Sequence, residues 1–250
     1  MKLGLVSVTY RSKTVEEIIT LVKKAGLDGI EWGGDIHVPH GDIENAKRVK
    51  KLTEEAGLKV LAYGSYYRVG VNENYKEEFE KVLLTAEALG ADIIRIWAYT
   101  MAANKVSKEE LEKFAKETNE IIKMANEKNI KVAFECHPDT LTEHYPSAME
   151  FYDMLDGIYS YWQPNNNMLT YEENIEALKA YLPYTLNIHV FYSENWVKKS
   201  LKEGYEKWKN WISIIKESGR DVNYLFEFFP EETDEWLFNE TEVMNKLLAE

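Results

Sequence analysis

The sequence predicts a single closed (β/α)8 barrel running from residue 1 to residue 250, and three observations predict it. Eight short apolar runs rich in β-branched residues recur along the chain. The stretches between them carry apolar residues at the helical period. One phrase, a helix end followed by a short turn and a buried strand, repeats as KKAGLDGIEW, EEAGLKVLAY, EALGADIIRI and NEKNIKVAFE. Strand and helix alternating in this way within one compact chain favour a closed parallel barrel over an open sheet, with no linker and no second domain.

Taken in order, the expected strands are Leu3–Val8, Gly29–Trp32, Lys59–Gly64, Asp92–Trp97, Lys131–Cys136, Gly157–Trp162, Thr185–Val190 and Asn223–Phe228. Amphipathic helices are expected over Val15–Lys24, Ile43–Ala56, Tyr75–Leu89, Lys108–Lys128, Leu201–Glu217 and Glu231–Ala249. Ser107 with Glu110 three residues on reads as a capping box opening the fourth helix. Gly26, Gly57 and Gly90 fall just past helix ends, where a left-handed residue is wanted.

Composition narrows the function classes. With 43 acidic against 30 basic residues the formal net charge is −13, which disfavours both phosphate backbones and anionic membrane surfaces. No run approaches the roughly 20 apolar residues of a membrane span, and the N-terminus, MKLGLVSVTYRSK, is too polar for a signal peptide. Cys136 is the single cysteine, so an intrachain disulfide is impossible. A cytoplasmic protein without nucleic-acid or membrane partners is expected. No glycine-rich phosphate loop is present.

In such barrels the active site lies at the C-terminal ends of the strands. The polar residues expected there are Glu31, Arg95, Glu135, His137, Gln163, His189 and Glu227. Alternation along a strand points Glu135 and His137 the same way and turns Cys136 outward, into the packing between sheet and helices. Arg95, Trp97 and Tyr99 share one parity. Three buried glutamates must pair, protonate or hold a metal, and one arginine cannot neutralise all three. Glu135, Gln163, His189 and Glu227, from the fifth to eighth strands, offer oxygen and nitrogen ligands suited to Mn2+, Mg2+, Co2+ or Zn2+. Trp97 and Trp162 are expected to face substrate, and His37 sits in a glycine-rich loop, WGGDIHVPHGD, that can approach a ligand.

The phrases GLDGIEWGG, GADIIRIWA, VAFECHPDTLT, NIHVF and FEFF resemble the xylose isomerase-like barrel superfamily of sugar isomerases and epimerases over essentially the whole chain. The resemblance implies a divalent metal, Mn2+ first, held by Glu135, Gln163, His189 and Glu227. Glu135 and Glu227 are then the acid and base of proton transfer next to a carbonyl. By their places at the strand ends and in the loops above them, His137, Trp97, Trp162, Glu31 and His37 are read as substrate contacts, and Arg95 as an interior charge anchor that can also reach substrate; the substrate is expected to be a small sugar or sugar derivative. Dimeric or tetrameric relatives imply a homo-oligomer. Gln163 stands where that family usually has Asp, and NNNM (Asn165–Met168) lacks its usual His. Two other readings therefore stand beside the isomerase: a dehydratase or lyase on a polyol-derived ketone, and a sugar-binding barrel whose metal site has decayed. An endonuclease would need more histidine ligands and a basic face.

Overall fold

The computed structural model describes residues 1–250. Eight parallel strands close on themselves: β1 (Leu3–Val6), β2 (Gly29–Gly33), β3 (Lys59–Val69), β4 (Ile93–Ala98), β5 (Lys131–Glu135), β6 (Tyr159–Trp162), β7 (Thr185–Val190) and β10 (Asn223–Phe226). The circle closes through pairing of β1 with β10, in the register Leu3 with Tyr224 and Leu5 with Phe226. The remaining strands, β8 (Tyr192–Glu194) and β9 (Val197–Lys199), form a separate antiparallel hairpin above β7.

Eight α-helices follow the strands: α1 (Val15–Lys24), α2 (Ile43–Glu55), α3 (Tyr75–Leu89), α4 (Lys108–Asn126), α5 (Tyr145–Tyr152), α6 (Tyr171–Tyr181), α7 (Tyr205–Glu217) and α8 (Asp234–Ala249). Thr14 with Glu17, Ser107 with Glu110 and Thr170 with Glu173 make reciprocal capping boxes at α1, α4 and α6. Gly26, Gly57 and Gly90 take φ of 71°, 79° and 76° just past α1, α2 and α3, a conformation that a side chain would strain.

Side-chain alternation splits the core in two. Inside the barrel a small plug of Leu61, Ile93, Ala133, Tyr161 and Leu225 fills the lower layers. Outside it, Trp32, Ile94, Phe134, Trp162 and Ile188 join the helices in the main core. Cys136 packs against this outer layer, and burial pushes its thiol well above the usual range.

Several expected boundaries differ. The first strand ends at Val6, and Ser7–Tyr10 continues as a 3-10 turn. The third strand runs on to Val69 through a bulge beside β4, with Ser65 Oγ donating to the Arg95 carbonyl at 2.7 Å. The helices expected from Leu201 and Glu231 begin later, at Tyr205 and Asp234.

Candidate metal and active site

The upper barrel interior is charged where the lower is apolar. Position by position, strand alternation aims Glu31 of β2, Arg95 of β4, Glu135 of β5 and His189 of β7 at the axis, and all four are buried. Gln163 and Glu227 follow the ends of β6 and β10 and are buried as well.

Arg95 organises the floor. Its Nε donates to Glu31 Oε1 at 2.8 Å and its Nη1 donates to Glu135 Oε2. Trp97 Nε1 donates to the same Glu135 oxygen at 2.5 Å. Gly64 makes room for this pair: a Cβ there would lie 2.6 Å from Arg95 Nη2 and 2.8 Å from Glu31 Oε1. Burial alone would raise both carboxyls, but Arg95 and then His189 outweigh it and hold Glu31 and Glu135 below the usual carboxylate range.

Around His189 the geometry changes character. Its Nδ1 lies 3.2 Å from Gln163 Oε1, 3.3 Å from Glu227 Oε2 and 3.4 Å from Glu135 Oε1. One ring nitrogen carries at most one proton, so three converging oxygens exceed what it can satisfy. Burial pulls the imidazolium down, yet Glu227, Glu135 and Glu31 outweigh it and raise the proton affinity of His189 well above the ordinary value. His189 Nε2, Glu31 Oε2 and Arg95 Nη2 are buried without any partner.

This donor set fits a divalent cation. The ligand atoms of Glu135, His189 and Glu227 lie within 4.8 Å of one another, and Gln163 adds a fourth oxygen or nitrogen donor, as hard divalent ions prefer. The charges also match: three glutamates against Arg95 leave two negative charges once His189 is neutral, and a divalent ion cancels them.

A cavity of about 260 Å3 opens above the set, and its wall includes Arg95, Trp97, Glu135, His137, Gln163 and Glu227. His137 stacks on Trp97 with ring centroids 4.8 Å apart. Its Nδ1 lies 2.7 Å from the Pro138 carbonyl, which assigns the ring proton to Nδ1 and leaves Nε2 as the basic nitrogen. The guanidinium of Arg68 sits 4.2 Å from the Trp97 ring centre and steadies this stack.

A family model for the xylose isomerase-like TIM barrel matches residues 19–247. The chain belongs to that family. Within it, a curated relative from Bacillus anthracis named 3-dehydroshikimate dehydratase is 22% identical over 163 residues, which are 62% of this chain and 58% of the relative. The match thus spans little more than half of that relative's length. The crystal structure of the probable 3-DHS dehydratase AsbF, involved in petrobactin synthesis in Bacillus anthracis, superposes with a TM-score of 0.80 at 19% identity, covering 98% of this chain and 99% of that one. A D-allulose 3-epimerase from Methylomonas sp. gives a TM-score of 0.75 at 14% identity, covering 99% and 98%. At such identities the likeness establishes the fold, while the chemistry differs between the relatives.

Of the residues expected to touch substrate, the structure brings Arg95, Trp97 and His137 to the cavity with three of the four expected ligands, Glu135, Gln163 and Glu227, while His189 is fully buried behind them. The structure does not bring the other three substrate contacts there. Glu31 is fully buried and spent on Arg95. His37 is held by Ser7 Oγ at 2.9 Å and the Lys13 carbonyl at 3.1 Å, so both ring nitrogens are engaged away from the cavity. Trp162 faces outward from β6 and packs on Trp208 and Trp211, with centroids 6.5 Å and 5.5 Å away. Tyr99, whose parity suggested the same direction as Trp97, has a positive φ of 56° and instead lies 4.3 Å from Phe114. Sequence reasoning missed Arg11, Tyr66 and Phe228 in the cavity wall. An arginine just after the first strand of an acidic chain was the available signal for Arg11; the other two depend on backbone geometry without a sequence signature. No helix is long and apolar enough to cross a membrane.

Proposed function

We propose that this chain is a divalent-metal-dependent enzyme that removes a proton next to a carbonyl of a small polyhydroxylated substrate. The observation that carries this reading is the convergence of Gln163, Glu227 and Glu135 oxygens on His189 Nδ1, within 3.4 Å, at the base of a cavity. Glu135, Gln163, His189 and Glu227 would hold the ion, and a bound divalent ion supplies Lewis acidity that stabilises developing negative charge on oxygen.

The protein's own residues divide the remaining work. Glu135 is tied by Arg95 and Trp97 through one oxygen, so it is a poor base and a good fixed negative charge. Glu227 carries no such donors, and its contact is with His189 alone. It takes the proton. His137, with Nε2 unengaged, handles a second proton on the substrate. Trp97 and Tyr66 wall the reacting centre from water.

Two fates of the deprotonated substrate are consistent with the family. Isomerisation or epimerisation returns a proton to carbon. Epimerisation asks for two carboxylates of similar strength on opposite faces, and Glu135 and Glu227 are unequal. Dehydration asks for one base and an acid beside the leaving hydroxyl; Glu227 suits the first part, and His137, once Nε2 has taken up a proton from solvent, suits the second by giving that proton to the departing water. The dehydratase relative favours the same reading. Incubation of the Mn2+-loaded protein with D-allulose and with 3-dehydroshikimate in deuterium oxide, followed by mass spectrometry, tests the proposal. Loss of one water supports the dehydratase, and deuterium gain without loss supports the isomerase or epimerase. Neither change with either compound, despite tight Mn2+ binding, would favour the sugar-binding barrel.

A further inference from the structure

Among the apolar side chains of the barrel plug runs one polar row. Barrel interiors are ordinarily filled by branched aliphatic side chains. Here β10, β7 and β6 set Asn223, Asn187 and Tyr161 side by side, with Asn223 paired to Asn187 and Asn187 paired to Tyr161. Asn187 and Tyr161 are fully buried. Buried polar groups cost stability unless they are bonded, so the row calls for a physical reason.

Its hydrogen bonds run in one direction. Asn223 Nδ2 donates to Asn187 Oδ1 at 3.0 Å, and Asn187 Nδ2 donates to the Tyr161 hydroxyl at 2.7 Å. The hydroxyl thus accepts from Asn187 and keeps its own hydrogen to give onward. Tyr161 lies against the His189 imidazole, edge to face, with ring centroids 5.1 Å apart. Burial first, and then the neighbouring Glu31 carboxylate, hold the hydroxyl well above its ordinary range, so it stays a donor.

Glu31 is the group that lacks one. Its Oε1 takes Arg95 Nε at 2.8 Å and lies 3.8 Å from His189 Nε2. Its Oε2 is buried with no other partner. On the far side of the imidazole, Nδ1 faces the oxygens of Gln163, Glu227 and Glu135.

We infer that Tyr161 is a positioning residue of the metal site: its hydroxyl donates to Glu31 Oε2, and the carboxylate so fixed holds the Nε2–H of His189, which keeps Nδ1 turned to Gln163, Glu227 and Glu135. Asn187 and Asn223 hold the hydroxyl in that direction. This rests on the metal site proposed above and adds the residues that orient its imidazole. A carboxylate behind a ligating imidazole sets the tautomer and raises the basicity of the ligand, and losing such support weakens metal binding by about 10–100-fold. Neither Tyr161 nor Asn187 lines the cavity, so their effect on the ion is transmitted through Glu31 and His189.

Calorimetric titration of the full chain with Zn2+, which is diamagnetic, together with NMR of protein labelled with heavy nitrogen at histidine, tests the inference. In Tyr161→Phe, Zn2+ affinity is expected to fall about tenfold, and the His189 Nε2–H signal of the loaded protein is expected to shift and to exchange faster with solvent. Asn187→Leu, which frees the hydroxyl to turn away, is expected to do the same. In a Glu31→Gln background Tyr161→Phe has no further effect on affinity, because the amide offers one accepting oxygen in place of two. Tyr63→Phe removes another buried hydroxyl, one that donates to the Val38 carbonyl at 2.8 Å in the outer core, and it leaves both affinity and signal unchanged. Wild-type affinity with an unmoved signal in Tyr161→Phe (or in Asn187→Leu, should the first variant not fold) would overturn the inference. So would a loss of affinity as large with Glu31→Gln as without it. Failure of the metal site itself is read separately, as Zn2+ binding that is absent from the wild type or unchanged in Glu227→Gln.

Discussion

His189 Nδ1 lies 3.3 Å from Glu227 Oε2, so a proton and a metal ion compete for one nitrogen lined by carboxylates. Because the carboxylates raise the folded-state proton affinity of His189, the surroundings of the metal-free site favour its protonated form. The stability this contributes is fully present below the ordinary imidazole value and is lost as pH rises through the raised one. A metal must expel that proton. Mn2+ affinity is therefore expected to fall as pH falls, with release of about one proton per ion. Titration at one pH in two buffers of different ionisation enthalpy measures the release; zero release would show that His189 is not a ligand.

Arg95 joins Glu31 and Glu135 in a buried triad, and removal of the cation leaves two unpaired carboxylates. Arg95→Met is expected to cost about 3–5 kcal/mol, a drop in Tm on the order of 10 °C for a chain of this size. The pH dependence changes sign as well. In the wild type both carboxyls are held below their ordinary values, so their contribution is present above the carboxylate range and is lost as pH falls through it. Without Arg95, burial raises them instead, and the variant gains stability on acidification. Thermal melts of both proteins between about pH 4 and 7 check this, and parallel profiles would refute the triad's role.

Gly64 is the space in which this triad fits. A Cβ at that position would meet Arg95 Nη2 and Glu31 Oε1 below 3 Å. Gly64→Ala is expected to lower stability by about 1–3 kcal/mol through overpacking, and to weaken Mn2+ binding by moving Glu135 along with Arg95. A melt combined with a metal titration reads both effects.

The fold was legible because period and punctuation repeat: each apolar run became a barrel strand, and the capping box at Ser107 and the glycines after α1 to α3 fell where expected. The polar residues at strand ends were legible for the same reason, since alternation decides which side chains face the axis. Legibility failed where the chain leaves regular structure. Trp162 obeys strand parity and so faces the helices, although its place at a strand end suggested a substrate contact. The β8–β9 hairpin turns on Asn195–Trp196, both at positive φ, where an Asn-Gly pair would have announced the turn. The bulge that brings Tyr66 to the cavity starts just after Gly64, and a single glycine closing an apolar run reads equally well as the end of the strand.

Glu227 and His137 act at different steps if the substrate loses water. Glu227→Gln is expected to abolish both deuterium uptake and product formation, by about 100-fold or more, with Tm little changed. His137→Gln leaves the first proton transfer intact, so deuterium still enters the substrate while water loss falls by a similar factor. Mass spectrometry of recovered substrate separates the two variants. Equal loss of both signals in His137→Gln would assign His137 to the first step instead.

Trp196 is 72% exposed, yet it lines the cavity from the tip of the hairpin, where its N–H donates to Asn167 Oδ1 at 2.8 Å. An exposed tryptophan at positive φ contributes little to folding, and its place on the cavity wall makes substrate contact the role to test. Trp196→Gly relieves the backbone and is expected to leave stability unchanged or raise it by roughly 0.5–1 kcal/mol, depending on how far glycine's freedom in the unfolded chain offsets the relief. Trp196→Ala retains the strain and loses the ring. Both variants are expected to raise KM by about tenfold, the loss of one aromatic contact, with kcat nearly constant because no reacting atom is touched. A fall in kcat at unchanged KM would place Trp196 in the chemical step, and unchanged values of both would leave it outside the substrate's reach.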